Sequence, residues 1–549
     1  MSTQFCYQPL STSSSIRLLR IRKFVSTLQY DLIEVNLENN PVYDALSYTW
    51  HLEKQSSATP GDDSEFGGSI NCNGMKLDVT ANLRDGLLRL EQLRQETLIW
   101  IDAICINQQD LEERSAQVNM MGRIFRSART VVVWLGEPRR DWDVQTVENS
   151  IRFMERLPCI KEQQSESVSD YEDAAVATLR EMTPPAYSSD WFSLGLFFCQ
   201  TWFQRCWIIQ ETVLASTIEV YSGPTHITWS LLQNAARLLD VVRRRSSHSR
   251  MWRESLTTIF SSIPMILLAR EHCRVGKLWR LETHLALSRT YQVTDQRDKI
   301  FALLGISDIS SLASSVVELD KFSADYTKSI EQVYTECAAH LVEGRAGYSV
   351  LSMVEARSHP APRSIPSWVP DFSVPQSPPP LAIKSPPKPT PTGNSPVRDL
   401  VMLDVHITAL RSAPPEYRYP AVRAAVDDFI AAWDGAIPLR ELLDATRVAV
   451  AAGDRARLEV THKFVGIFLR MCSARRVFST NQGDLGIAHQ GARVGDEVVV
   501  VPGAAVPFVV REVEGGAYVL IGEAFVHGAM NGEALEGKDP SALEGLHLV

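Results

Sequence analysis

A chain of 549 residues exceeds what one ordinary hydrophobic core accommodates, so two or three domains are expected. With 45% apolar and 22% charged residues it is globular and not disordered throughout, and a net charge of −10 excludes a general electrostatic pull toward nucleic acid. Nine cysteines, odd in number and without CxxC spacing, argue against a disulfide framework and a structural zinc site.

The opening "MSTQFCYQPLSTSSS" lacks a charged n-region followed by an apolar h-region, so no signal peptide is expected. Apolar runs fall short of the ~20 residues that span a bilayer. The longest candidate, "VVVVPGAAVPFVV" (498–510), is broken by Pro502, Gly503 and Pro507. The expectation is a reducing, cytoplasmic setting without nucleic-acid partner or membrane span. The one basic cluster, Arg243, Arg244, Arg245 and Arg250, should follow a helix and face solvent.

In chain order, "SIRLLRI" and "LIEVNLE" read as the strands of a hairpin, and "YDALSYTW" as a further extended piece. "GSINCNGMKLDV" predicts a second hairpin turning at Asn73-Gly74. Leu83, Leu87, Leu90 and Leu93 recur at a helical period. "TLIWIDAICI" predicts one nearly continuous strand buried on both faces. A helix then opens near Asp110, and "TVVVWLG" is a second buried strand stopped by Gly136 and Pro138. Strand, helix, strand in this order implies a parallel α/β sheet with right-handed crossovers. "KEQQSESVSDYED" reads as an exposed insertion, and residues 191–345 as mainly helical. "SPPPLAIKSPPKPTPTGNSP" marks a linker or long surface loop. Beyond it, "YPAVRAAVDDFIAAWDGA" and "RELLDATRVAVAAG" predict helices, and short strands separated by Gly-rich turns predict a small β-barrel or half-barrel. No fixed-period repeat and no P-loop is visible.

Three blocks, "YDALSYTW" (43–50), "LWIDAICINQQDLEERSAQVNMMGRIFRSARTVVVWLG" (98–136) and "WFQRCWIIQE" (202–211), closely resemble the motif blocks of the fungal heterokaryon incompatibility (HET) domain. "DQRDKIFALLGI" (295–306), "ADYTKSIEQVY" (324–334) and "IPSWVPDFS" (365–373) resemble segments that commonly follow it, and residues 476–511 resemble the β-rich tail of the same proteins. The resemblance implies a HET domain over 1–220 with its motif core at 40–215, a helical region over 221–373, a Pro-rich linker at 374–397, and an α+β tail over 398–549 ending in a barrel-like unit. It further implies a flavodoxin- or TIR-like parallel sheet, and a cell-death role in fungal non-self recognition through protein partners, whether by self-association or with an incompatibility partner. Many such effectors carry a nucleotide-binding oligomerisation module and repeats; this chain has neither.

In open parallel sheets, ligands sit beyond the carboxyl ends of the strands. "LWIDAICINQ" fits that placement, with Asn107, Gln108 and Asp102 near the edge, and Ser47 and Tyr48 at the same edge if their strand is a neighbour. Trp207, Gln210, Glu211 and Leu214 share one face of a helix at spacings of three and four. A glutamate there could stabilise the oxocarbenium-like transition state of glycosidic cleavage or bond ribose hydroxyls, and Trp50 or Trp207 could stack on a ring. Analogy with TIR-type NAD hydrolases makes Glu211 the candidate catalytic acid, with NAD as substrate and no cofactor. The competing reading is structural: Arg205 with Glu211 as an ordinary ion pair, Asp102 tying down a loop, Cys105 as a small apolar group, and the tryptophans as core. Asp295 is expected to N-cap a helix carrying Ile300, Phe301, Leu303 and Leu304, serving as a docking element. Pro370 makes "IPSWVPDFS" an extended strap. The functions in view are an incompatibility effector, an NAD- or nucleotide-cleaving hydrolase, and a non-catalytic accessory protein of a biosynthetic gene cluster.

Overall fold

The computed structural model describes residues 4–24, 27–50, 68–94, 97–138, 141–158, 189–245, 262–309, 322–344, 347–354, 365–374, 475–526, 529–530, 533–535, 537 and 543–549. They sort into two units, one within Met1–Ser310 and Asp320–Val333, the other within Tyr334–Pro386 and Gly393–Val549. The expected insertion at 161–173, the Pro-rich segment, the two helices expected between 419 and 453, and the side chains of the arginine cluster lie outside the described residues.

In the first unit, β1 (Ser15–Phe24) and β2 (Thr27–Asn36) form the antiparallel hairpin that their apolar runs predict. β3 (Asp44–Tyr48) is buried at every position, as a strand covered on both faces must be. β4 (Gly68–Cys72) and β5 (Met75–Val79) close through Asn73-Gly74, whose φ values of 52° and 78° supply the two left-handed residues of a tight hairpin turn. α1 (Ala81–Leu93) starts at Thr80, whose hydroxyl oxygen accepts from the Leu83 N–H, and it buries Leu83, Leu87 and Leu90.

β6 (Leu98–Trp100) corrects an expectation. The apolar run does not continue as strand to Ile106; Asp102–Cys105 turns as a short helix, α2. The Asp102 carboxylate accepts from the Ala103 N–H at 2.7 Å, which favours a turn over a ladder. Buried Arg17 then holds the Cys105 carbonyl at 3.1 Å and grips Glu113, whose Oε1 accepts from the Asn107 N–H at 2.8 Å. α3 (Leu111–Ser127) begins at Asp110, which accepts from the N–H groups of Glu112 and Glu113. There follow β7 (Val131–Trp134), α4 (Asp141–Arg156), α5 (Ser189–Phe198), α6 (Trp207–Leu214), β8 (Ile218–Ser222), β9 (Thr225–Thr228), α7 (Trp229–Arg245) and α8 (Ser262–Arg274). Then come β10 (Trp279–Arg280), α9 (Leu281–Leu287), α10 (Asp298–Leu304) and β11 (Ser307–Asp308). α10 starts two residues later than expected, with Arg297 at its N-cap, and Asp295 instead caps the preceding turn through the Arg297 N–H at 3.1 Å.

Nine strands make one sheet in the order β5-β4-β2-β1-β6-β3-β7-β8-β9. β6, β3, β7 and β8 are mutually parallel, with Ala45 opposite both Trp100 and Val131. The sheet is mixed and not parallel throughout, because hairpins flank that block: β1 runs antiparallel to β6, and β9 to β8. From β3 the chain moves to one side to form β6, then across to the other to form β7, so the strand order reverses between β3 and β7. α6 is buried at every position from Ile208 to Leu214, so it has no single site-facing stripe. α3 and α10 cross at Gly122 and Gly305, where a Cβ on Gly122 would meet the Gly305 Cα at 3.1 Å.

In the second unit, "IPSWVPDFS" forms two turns and not an extended strap: the Val369 N–H donates to the Pro366 carbonyl, and Val374 to Asp371. The Asp371 carboxylate accepts from the Ser373 N–H at 3.0 Å and favours the second turn. β12 (Arg475–Ser479), β13 (Leu485–His489), β14 (Glu497–Val499), β15 (Phe508–Val513) and β16 (Ala517–Val526) form an antiparallel sheet in the order β12-β13-β16-β15-β14. β12 and β14 do not pair, so the sheet is open among the described residues, where a barrel-like unit was expected.

Because the α3–α10 approach is backbone against backbone, Gly122→Ala should destabilise the chain by about 1–3 kcal/mol, read as a lower urea midpoint. An unchanged midpoint would mean that the two helices separate at no cost.

Candidate functional site

Beyond the carboxyl ends of β3 and β6 lies a cavity of about 750 Å³, within the range of small-molecule sites. One wall carries Thr49 and Trp50 after β3, and Asp102, Ile106 and Gln108 after β6. Arg114, Val118 and Met121 come from α3, and Arg205 and Trp207 from the start of α6. The opposite wall is Gln292–Asp298 with Tyr326 and Ile330.

Two tryptophan–aspartate pairs face this space. The Trp50 Nε1 donates to Asp102 Oδ2 at 3.0 Å, and the Trp207 Nε1 donates to Asp298 Oδ2 at 3.1 Å. Asp298 also accepts from the Tyr326 hydroxyl at 2.5 Å. Burial raises the pKa of both carboxyls, against the pull of nearby arginines, and Asp298 reaches about 6. Gln108 Nε2 donates to the Asp102 carbonyl at 2.9 Å and fixes the turn from which that carboxylate projects. The Tyr48 hydroxyl lies near Asp102 without the geometry of a formed hydrogen bond.

Glu211 sits elsewhere. It is 3% exposed and does not line the cavity. Ser47 Oγ donates to Glu211 Oε2 and accepts from the Trp202 Nε1 at 2.8 Å. Arg205 Nη1 lies 4.0 Å from Glu211 Oε1 and donates to the Tyr48 carbonyl. Burial lifts the Glu211 pKa from 4.5 to about 7, with Arg205 and Ser47 opposing and Asp102 adding to the rise. Glu211 therefore anchors Arg205, and Arg205 forms part of the cavity wall.

Of the residues expected at the edge, Trp50, Asp102, Gln108, Arg205 and Trp207 meet at the cavity. Ser47, Tyr48 and Glu211 form the buried layer next to Arg205. Asn107 shapes its own loop, its Oδ1 accepting from the Gln109 N–H at 3.3 Å. Gln210 is a helix clamp: its amide, oriented to satisfy both neighbours, donates to the Ala302 carbonyl at 3.1 Å and accepts from the Gly122 N–H at 2.8 Å. Cys105 is fully buried with its thiol pushed up to about 12, which excludes a ready thiolate nucleophile. Sequence reasoning missed Arg114 and Tyr326, and it read Asp295, Arg297 and Asp298 as a docking element only. The signal was present in the recurring segments "DQRDKIFALLGI" and "ADYTKSIEQVY", whose polar residues no helix period explains. Arg297 braces this wall: it grips both oxygens of Asp295 at 2.9 and 2.8 Å and donates to the carbonyls of Tyr326 and Lys328 at 2.7 Å each.

A carboxyl whose pKa rises on folding gives stability that is fully present below the unfolded pKa and is lost as pH rises through the folded one. For Glu211 that window runs from 4.5 to about 7. Glu211→Gln should therefore gain stability relative to the wild type between about pH 5 and pH 8, by on the order of 2 kcal/mol. Thermal melts of both proteins across that range check it; parallel pH profiles would place the ionisation elsewhere.

A family model described as Heterokaryon incompatibility protein (HET) matches residues 43–211, and one described as Het-6 beta-barrel domain matches residues 422–541. Heterokaryon incompatibility protein 6, OR allele, of Neurospora crassa is 27% identical over 419 residues, 66% of this chain and 58% of that protein. The chain thus spans less than two thirds of that relative's length. No solved structure matches. The first family match takes in the β3, β6 and α6 side of the cavity and stops at Glu211, so the wall of Gln292–Asp298 and Tyr326 lies beyond it. With both family models matched in the order that the motif blocks predict, the chain belongs to the fungal heterokaryon incompatibility (HET) proteins.

Proposed function

We propose that this chain is an effector of heterokaryon incompatibility that triggers hyphal cell death from the cytoplasm through its HET domain, and that the cavity holds the ligand on which this action depends. The observation that carries the reading is convergence: segments 43–50, 98–108 and 202–211, far apart in sequence, meet at one sheet edge beside a cavity that they do not fill. A merely structural edge would close over its polar groups, whereas here Asp102, Arg205, Trp50 and Trp207 line open space. Induced expression in a compatible filamentous fungus should arrest growth and kill hyphae, and Asp102→Asn should relieve that effect at equal protein level. Healthy colonies expressing the wild type, or undiminished killing by the variant, would reject the reading.

A second reading is cleavage of NAD or a related nucleotide. Its support is the set of two carboxyls with raised pKa beside two indoles, and the order of the four parallel strands, second-first-third-fourth, as in flavodoxin-like sheets. Glu211 then acts as a positioning residue through Arg205 unless the cavity opens further, with Asp102 nearer the reacting atoms. Purified wild type should consume NAD more strongly as its concentration rises, with at least tenfold loss in Asp102→Asn and in Glu211→Gln. NAD left intact at every concentration would dismiss cleavage while leaving the hyphal result to stand.

A further inference from the structure

Among the arginines of the cavity, Arg114 is set apart by what it does not hold. Arg297 commits its donors to Asp295 and two carbonyls, and Arg205 donates to the Tyr48 carbonyl beside Glu211. The Arg114 guanidinium makes no side-chain hydrogen bond among the described residues. It rests over the Tyr326 ring, 3.7 Å from the centroid, and its one ion pair among the described residues is a loose 3.6 Å approach to Asp295, a carboxylate that Arg297 already holds at both oxygens. Tyr326 cannot drift, because its hydroxyl is fixed on Asp298. The result is a cation set over the Tyr326 ring in a cavity that it lines, with hydrogen-bond donors that no side chain among the described residues engages.

We propose that Arg114 is the anion anchor of this cavity, and that the ligand is a phosphorylated ribosyl compound of which a nucleotide is the simplest case. A phosphate matches the guanidinium fork in geometry and charge. Asp102 and Asp298 would repel an anion but accept from sugar hydroxyls, each having acceptor capacity beyond the indole N–H it already receives. Trp50 and Trp207, each pinned by that N–H, offer apolar ring surface to a planar base. One cavity thus gathers a cation, hydroxyl acceptors and aromatic faces, the three groups that a nucleotide presents in complement. The inference rests on reading the cavity as a ligand site, and it requires no cleavage.

The test is calorimetric titration of the full chain with AMP, adenosine and inorganic phosphate, repeated with Arg114→Gln and Arg114→Lys. AMP should bind at least tenfold more tightly than adenosine. Arg114→Gln should bring AMP down to the adenosine level, and Arg114→Lys should retain part of the difference. Inorganic phosphate alone should bind far more weakly than AMP. Equal affinities for AMP and adenosine, an unaltered AMP affinity in Arg114→Gln, phosphate binding as tight as AMP, or no AMP binding at millimolar concentration would each overturn the proposal. Should Arg114→Gln fail to fold, the comparison of AMP with adenosine on the wild type and on Arg114→Lys still decides. The hyphal assay needs no ligand identity, so loss of this proposal leaves the effector reading intact.

Discussion

A glutamate with 3% exposure and no close counter-charge is the constraint around which this domain is arranged. Removing a carboxyl from water is expensive unless its oxygens find donors. Ser47 supplies one, itself held by the Trp202 indole, and Arg205 supplies diffuse compensation from 4.0 Å. Those partners lie on β3 and on the turn that leads into α6, so satisfying one carboxyl draws together chain segments more than 150 residues apart. Arg205, fixed by this layer and by the Tyr48 carbonyl, is in turn what the buried network presents to the cavity.

The cavity repeats a device on its two sides: an indole N–H clamps an aspartate whose pKa burial has raised. Each pair fixes two things at once, the plane of a ring and the direction of a carboxyl. Among the described residues neither aspartate has an arginine hydrogen-bonded to it, although three arginines line the same space. Charge is cancelled pairwise at Asp295, which Arg297 grips at both oxygens, while Asp102 and Asp298 stand apart from the arginines. That separation is the usual mark of a site built for an external partner.

Much of the first unit was legible from residue pattern. The apolar runs "SIRLLRI" and "LIEVNLE" found the first hairpin, Asn73-Gly74 found the second, and the leucine period from Leu83 found α1. Pattern failed where short polar contacts overrode it: the apolar run through Ile106 reads as strand, yet the Asp102 carboxylate and the Arg17 grip on Cys105 fold it into a turn. Helical spacing placed Gln210 beside Glu211, but a helix buried all round sends neighbouring side chains to different partners, and Gln210 goes to Gly122 and Ala302. The motif blocks pointed to half the cavity. Arg114 and Tyr326 escaped because their pairing spans more than 200 residues, and no local period records a contact at that range.

The segment that matches the HET family model begins at Tyr43 and ends at Glu211. Within the sheet it holds β3, β4, β5, β6 and β7, while β1, β2 and β8, which pair with β6, β4 and β7, are encoded outside it. A fragment cut at the family boundaries would bare three strand edges, on β4, β6 and β7, each a template for non-native pairing between chains. It would also strand the Trp207 indole without Asp298. Similarity and foldability thus draw different borders here: the unit that evolution repeats is smaller than the unit that physics can hold together. Aggregation of such a fragment in a cell would be an artefact of its missing edges, and toxicity arising from it would say little about the intact molecule.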